Sequence, residues 1–337
     1  MKHVSNRIYS DEMFNQNIKN MFLKDYPENT RLAYSRVLKR AKYLEDQVSK
    51  DLYDFNLHEI VQLLRFLSPT SYASALSSSS IIQNYIRWSI EQGLRISNMN
   101  PLDAVVGDEF YKNVIDVSRK NLFTLEEIEN ITGGLVNFQD SAMIRGIFEG
   151  IMGHGYSELL NLKKVQLDPH HLLLQIVNEE KDKTTHREVQ ISEELMLMLI
   201  KAAEESEYYK NNGNPSPNIK APTSKLVDND FVFRSSILNV KSFERADKHL
   251  VLRRLKNVAE WFGQPTLTAI NIRNSGMLYS AYQLYKETGK LEKNEIDYVC
   301  HKFNIAKLKG SEFYNVSRLK KEFLSIEKII QVYEEEE

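Results

Sequence analysis

Arg273 is the residue of this chain best built to hold a phosphate. Its planar guanidinium can grip two oxygens at once, and it stands in Leu267-Thr268-Ala269-Ile270-Asn271-Ile272-Arg273-Asn274-Ser275. A second string, Gly153-His154-Gly155-Tyr156-Ser157-Glu158-Leu159-Leu160-Asn161-Leu162-Lys163, sets a histidine between two glycines and an acid beside leucines. A third, Val299-Cys300-His301-Lys302, precedes Phe313-Tyr314-Asn315-Val316 and brings a proton carrier and a phenol into one stretch. Lysine and arginine also gather locally. Arg36, Lys39 and Arg40 share one helix face at i, i+3 and i+4, with Arg31 and Lys42 close by. Lys241, Arg245, Lys248, Arg253, Arg254 and Lys256 lead towards Arg273, and Lys302, Lys307 and Lys309 follow near His301. Such groups suit a polyanion, and the serine run 77–80 adds hydroxyl donors. Each feature has a plainer reading too. Arg273 would be a salt-bridged surface arginine, the basic clusters solvated faces, the leucine string a packed helix, Tyr314 a half-buried aromatic and Cys300 a small hydrophobe.

Bulk composition limits the classes. The chain has 337 residues, room for two domains of ordinary size. One cysteine rules out a disulfide framework and multi-cysteine zinc sites, so a reducing cytoplasm is the expected compartment. No signal peptide or membrane-spanning run is visible, and neither metal nor cofactor motifs occur. The net charge of −2 weakens nonspecific nucleic-acid attraction, but the charges are segregated: acid collects at 334–337 and at Glu126-Glu127, base in the clusters above.

The elements that must position these residues are mostly helical, because apolar residues recur at helical spacing and proline and glycine are few. The pattern predicts a helix capped by Thr30, another over 57–66, and a third after the serine run that ends near Gly93, with Asn100-Pro101 as the stop. Periodicity fades over 113–121, which reads as a linker between a helical domain, 1–112, and a second domain, 122–337. Thr124 caps the next helix with Glu127 in the capping-box position. Residues 172–177 and 188–191 read as two strands joined by a polar turn over 179–185. Residues 211–224 read as a surface loop, and Phe231-Val232-Phe233 as a strand or buried segment. Helices resume over 250–262, 271–286 and 317–333.

The string at 153–163 resembles the Gly-x-Arg-x-Ser-Glu-Leu-x-x-Leu box of tyrosine recombinases, the phage integrases, and the element order resembles that family over nearly the whole chain. The resemblance implies a mainly α fold with a small β-sheet: a helical core-binding (SAM-like) domain and a catalytic domain that close on duplex DNA as a clamp. In that family a tyrosine attacks a phosphodiester, helped by two arginines, a hairpin lysine and histidines that meet the developing charge. Carried over, the first arginine position is Gly155 and the hairpin lysine is Lys183, with Lys181 as rival. The His-x-Leu-Arg-His pattern becomes Ile270, Arg273 and Asn274, and the last histidine and the nucleophile become His301 and Tyr314. Glu158 matches the box acid and Arg187 fits the second strand. With an arginine and a histidine replaced, and each lost donor costing about 3–4 kcal/mol, the expectation is a protein that is not an enzyme. It would bind duplex DNA through Arg36, Lys39, Arg40, Lys183, Arg245, Lys248, Arg253, Arg254 and Arg273. Transcriptional repression in a phage is the implied role. The alternative is a divergent active recombinase with His154 as substitute donor. The apolar residues of the last helix suggest a homodimer, which would suit a symmetric operator.

Overall fold

The computed structural model describes residues 11–116, 119–214, 221–238 and 243–334, and divides into two compact units, Met1–Arg119 and Lys120–Glu337. Lys241 and most of the acidic tail lie outside the described residues.

The first unit is helical: α1 (Gln16–Leu23), α2 (Glu28–Val48), α3 (Leu57–Leu67), α4 (Tyr72–Glu91) and the short α5 (Glu109–Lys112). Its core is aromatic around Phe22, whose ring lies 5.1 Å from Tyr85, 5.3 Å from Tyr26 and 5.5 Å from Trp88. Two expectations are corrected here. Pro27, not Thr30, precedes the first residue of α2, because its fixed φ of −55° already suits a helix start. And α4 begins before the serine run, where Ser71 and Ser74 form a capping box. Ser79 then falls on the core face with Ala75, Ile82 and Ile86, and is buried instead of facing a phosphate.

Inside this unit the Lys19 ammonium and the Glu45 carboxylate are both fully buried and paired. The Lys19 ammonium also donates to the Phe14 carbonyl at 2.8 Å, and Glu45 accepts from the Leu52 amide at 2.7 Å. Asp51 joins by accepting from Tyr85 at 2.9 Å and from Asn15 at 3.0 Å. Burial raises the Glu45 pKa from 4.5 to about 7, against the pull of Lys19. A raised carboxylate works opposite to the usual salt-bridged case. Between 4.5 and about 7 the folded state keeps a proton the unfolded chain has released, so stability falls as pH rises through that window and levels above it. The thermal midpoint of this unit should therefore drop by roughly 10 °C or more between pH 5 and pH 8 if the full ~3 kcal/mol is realised. Glu45→Gln should remove that slope in circular-dichroism melts. An unchanged slope in the variant would assign it to other groups.

The second unit is built on α7 (Phe138–Phe148), buried on every side including Gln139, Asp140 and Arg145. Around it pack α6 (Leu125–Gly133), α8 (Ser157–Leu160), α9 (Glu193–Glu204), α10 (Lys248–Trp261) and α11 (Ala269–Thr288). Thr124 and Glu127 do form the capping box that opens α6. A β-hairpin, β1 (Leu173–Glu180) with β2 (Lys183–Gln190), pairs Leu173 with Gln190 and Glu180 with Lys183. The turn is thus only Lys181-Asp182, not 179–185. The outer half of the hairpin is solvated, so its pairing needs no apolar residues for the sequence to reveal. A second small sheet pairs β3 (Glu207–Tyr209) with β4 (Thr223–Lys225), so the last two residues of the segment that reads as loop, 223 and 224, are strand. Residues 231–233 form a buried segment with a single bridge, Phe231 to Lys163.

After α11 come α12 (Lys293–Lys302), α13 (Val316–Glu322) and α14 (Ile326–Tyr333). The single helix expected over 317–333 is broken. Phe323 and Leu324 turn into a core shared with Met277, Leu278 and Ala281 of α11, and Ser325 caps a new helix by accepting from the Lys328 amide. The apolar side of α14 is spent on its own unit: Ile329 is buried and Tyr333 stacks on Tyr282 at 4.5 Å. A second copy would meet only what that packing leaves exposed.

Candidate nucleic-acid interface

Glu158, an acid in a leucine string, needs a partner once α8 buries it. Arg187 of β2 provides it, with Nε 2.7 Å from Oε1 and Nη2 2.8 Å from Oε2. The same guanidinium donates to the carbonyls of Lys302 and Gly150, both at 2.7 Å. Glu158 also accepts from the Met152 amide and the Asn304 side chain, both at 3.0 Å. One buried ion pair thus ties together the loop before α8, the hairpin and the end of α12. Asn178 of β1 adds a second tie, accepting from the His154 amide at 2.7 Å and from the Ser157 hydroxyl at 2.9 Å. Sequence reasoning placed Arg187 on the right strand but did not pair it, and missed Asn178 and Asn304. The signal was available for the first: an acid among buried leucines demands a base.

The elements so fixed carry the candidate contacts. His154 and Gly155 are exposed, and the backbone at Gly155 is left-handed, φ 57° and ψ 27°. A Cβ there would meet nothing within 4 Å. The place of the box arginine is therefore open space at the surface. Gly155→Arg should be tolerated at a cost of about 1 kcal/mol for the left-handed backbone. If duplex DNA docks on this face, the variant should bind several-fold more tightly, with a salt dependence steeper by about one ion. Unchanged binding and slope in a salt titration would remove this loop from the interface.

Arg273 lies in the second turn of α11, half-buried. Its Nη2 donates to Asn274 at 3.2 Å, and its Nε is buried without a hydrogen-bond partner. Burial pushes its pKa below the ordinary arginine value, while Glu322 pulls it back up. Ile270 is 57% exposed on the first turn. Lys183 and Lys181 are exposed at the hairpin tip, and His301 is exposed on α12. Tyr314 is half-buried beside Lys307, and burial raises its hydroxyl pKa more than Lys307 lowers it. Cys300 is buried, its thiol pushed up to about 12 by that burial.

The basic clusters divide under the structure. Arg36, Arg253 and Lys248 are exposed. Lys39 reaches Asp11 at 3.3 Å, and Arg40 donates to the carbonyls of Phe66 and Leu67 at 3.0 Å, which holds α2 to α3. Arg245 is exposed but bonded to Glu179 and Asn161 at 2.6 Å. Arg254 is a correction. It is buried, donates to Gln139 and to the Arg234 carbonyl at 3.0 Å, and faces Asp140 at 3.5 Å. It faces the core because α10 places 250, 251, 254, 255 and 258 on one stripe, so the charge of Arg254 is spent inside the unit. Among the described residues, no cluster of histidine, cysteine or acid is placed to hold a metal, and no helix is long and apolar enough to cross a membrane.

Residues 122–334 match the family model described as MrpR, C-terminal catalytic domain, and residues 13–91 match MrpR, N-terminal core-binding domain. This chain belongs to the MrpR family. Its fold is mainly α with small β-sheets, in the order of core-binding domain and catalytic domain that the recombinase resemblance implied. The description of the larger domain as catalytic overturns the expectation that the protein is not an enzyme. That expectation let the residues missing at 155 and 270 outweigh the ones kept, Lys183, Arg273, His301 and Tyr314, which had carried only the alternative of a divergent active recombinase. A curated relative, the SPbeta prophage-derived uncharacterized protein YopR of Bacillus subtilis (strain 168), is 29% identical over 325 residues, covering 96% of this chain and 98% of the relative. Among solved structures, the XerA recombinase is similar at a TM-score of 0.42 and 13% identity, over 95% of this chain and 98% of that one. The Tn1549 transposon integrase in complex with transposon right end DNA is similar at 0.43 and 12%, over 86% and 95%.

Proposed function

We propose that this protein binds duplex DNA sequence-specifically and acts as a transcriptional repressor in a phage-derived element, in the cytoplasm. The observation that carries the reading is Arg273. A half-buried guanidinium with an unpartnered Nε is a costly arrangement unless an anion completes it, and a DNA phosphate is the anion that the resemblance to tyrosine recombinases implies. Exposed Arg253, Lys248, Lys183 and Arg36 supply further charge for backbone contacts. Arg245 would have to leave Glu179 to join them. The likeness to a prophage-derived protein over nearly full length supports the phage setting.

A second reading is phosphoryl transfer with Tyr314 as nucleophile and Arg273, His301 and Lys183 around it, favoured by the catalytic-domain description. The raised Tyr314 hydroxyl would then need a base on docking. Both are tested together. Genome fragments from the source organism are incubated with the protein and resolved on native gels, then on denaturing gels. A native shift that collapses as salt rises supports DNA binding, and no shift on any fragment sinks it. A covalent species lost in Tyr314→Phe establishes the transfer reaction. A fragment bound with nanomolar affinity upstream of a transcription unit, with transcription rising when the protein is removed, supports the repressor role.

A further inference from the structure

The second unit holds a cavity of about 560 Å³ that Arg273 does not line. Its wall comes from α6, α7, α11, α12 and the start of α9, and its apolar lining includes Phe148, Tyr279 and Leu284. The charges around it are unevenly used. Arg145 is committed to acids of the same wall, with Nε 2.5 Å from Glu149 and Nη1 3.1 Å from Glu129. Glu149 also accepts from the Ser192 hydroxyl at 2.6 Å and from the Ser192 amide at 2.7 Å, so both of its oxygens are taken. Lys302 has no such partner. Its ammonium makes no hydrogen bond or ion pair among the described residues, and lies 5.9 Å from the centre of the Phe303 ring. Burial lowers its pKa below the ordinary lysine value, while Glu149 pulls it back up. An ammonium largely out of water and unpaired carries a cost that an anion in the cavity would remove. At the open side stand Glu194 and Glu287, both exposed and neither in an ion pair among the described residues.

The spacing of these charges sets the size of what fits. Lys302 lies beside the end of α7, since a Cβ on Gly150 would sit 3.0 Å from its carbonyl oxygen. Phe148 and Tyr279, whose rings are 5.7 Å apart, mark the same end of the cavity. Glu287 stands two turns beyond Tyr279 on α11, about 12 Å along the helix axis. That is the reach of roughly three to four extended residues.

We propose that this cavity binds a short apolar peptide with free ends, its terminal carboxylate on the Lys302 ammonium and its terminal amine towards Glu287. The side chains of the peptide lie against Phe148, Tyr279 and Leu284. Positive charge inside, negative charge at the mouth and apolar surface between them match a zwitterion of this length, and match neither a polyanion nor a polycation. The site stands apart from the DNA-binding reading, since none of the residues invoked there lines the cavity.

The test is calorimetric titration of the full chain with the tripeptides Leu-Ala-Leu and Leu-Ala-Phe, each also as its C-terminal amide and as its N-acetyl form. Wild type is expected to bind at least one free peptide, and its amide about tenfold or more weakly, because a hydrogen bond between charged groups is lost. The N-acetyl form should lose less, since Glu287 is exposed and acts through water. Lys302→Met should bind the free peptide and its amide alike, at the weaker level. Arg187 holds the backbone carbonyl of Lys302, so the substitution leaves that anchor in place, and circular dichroism checks the fold. Glu287→Gln should erase the difference between the free and acetylated peptides. No binding of either free peptide at millimolar concentration overturns the proposal. So does equal affinity of acid and amide in wild type, which needs no variant, or a difference that persists in Lys302→Met. A wild-type dimer that Lys302→Met turns into monomers in light scattering would assign the cavity to a second copy of the chain, and would overturn it too.

Discussion

Gly276→Ala should unfold the second unit at a temperature about 6–12 °C below wild type. The reason is a single close approach. Gly276 lies in α11 where it crosses the end of α7, and a Cβ built on it would sit 1.7 Å from the Phe148 carbonyl oxygen and 2.7 Å from the carbonyl carbon. Those are backbone atoms at the end of the central helix, so no side chain can swing aside. The two helices would have to separate by more than an ångström, and overpacking of this kind costs about 3 kcal/mol or more. Separation would also open the core on both sides, since Ile272 of α11 and Ile144 and Ile147 of α7 belong to one apolar cluster. Gly133→Ala is the matched control. Its Cβ would meet nothing within 4 Å and its backbone is helical, so it should be neutral or slightly stabilising. Calorimetric scans of the three proteins decide the matter. If Gly276→Ala melts with wild type, α7 and α11 do not depend on this close approach.

Arg187→Met should be the other large effect, about 3–5 kcal/mol. Removing this guanidinium leaves the Glu158 carboxylate fully buried and opposed only by the Met152 amide and Asn304. It also takes the donors from the Gly150 and Lys302 carbonyls. Arg187→Lys should recover little, because one ammonium cannot reach two carboxylate oxygens and two carbonyls from a single fork. Arg187→Met combined with Glu158→Leu should be markedly more stable than Arg187→Met alone, since the cost lies in the uncompensated charge. Denaturant melts of wild type, Arg187→Met, Glu158→Leu and the double variant would show a coupling of about 2 kcal/mol or more. A coupling near zero would mean that Glu158 finds water when Arg187 is removed, and that the pair does not hold the three elements together.

These two residues also show where sequence reading stops. Arg187 and Glu158 are 29 residues apart, and nothing in the spacing of either says that they meet. What could be read was that an acid stood in a leucine string and needed a base. Gly276 was one of several small residues after Arg273, and only the crossing of two helices singled it out.

Local signals did carry far. The capping box at Thr124, the helical periodicity of α3, α10 and α11, and the apolar runs in the inner half of the hairpin are short-range patterns, and the chain obeys them. So is the box at 153–163, whose glycine in the arginine position the structure places on an exposed left-handed turn. Family membership and the two-part order follow from patterns of this kind. Tertiary structure decided how the charges are used. Arg254 and Arg253 are neighbours in one basic run, yet one is locked against Asp140 and Gln139 inside the unit while the other is exposed, because a helix turns adjacent residues about 100° apart. Lys19 and Glu45 look like ordinary surface residues in sequence and form a buried pair. Charge and periodicity are properties of the chain alone. Desolvation and partner distance exist only after it folds, and they determine which of these charges remains available to a ligand.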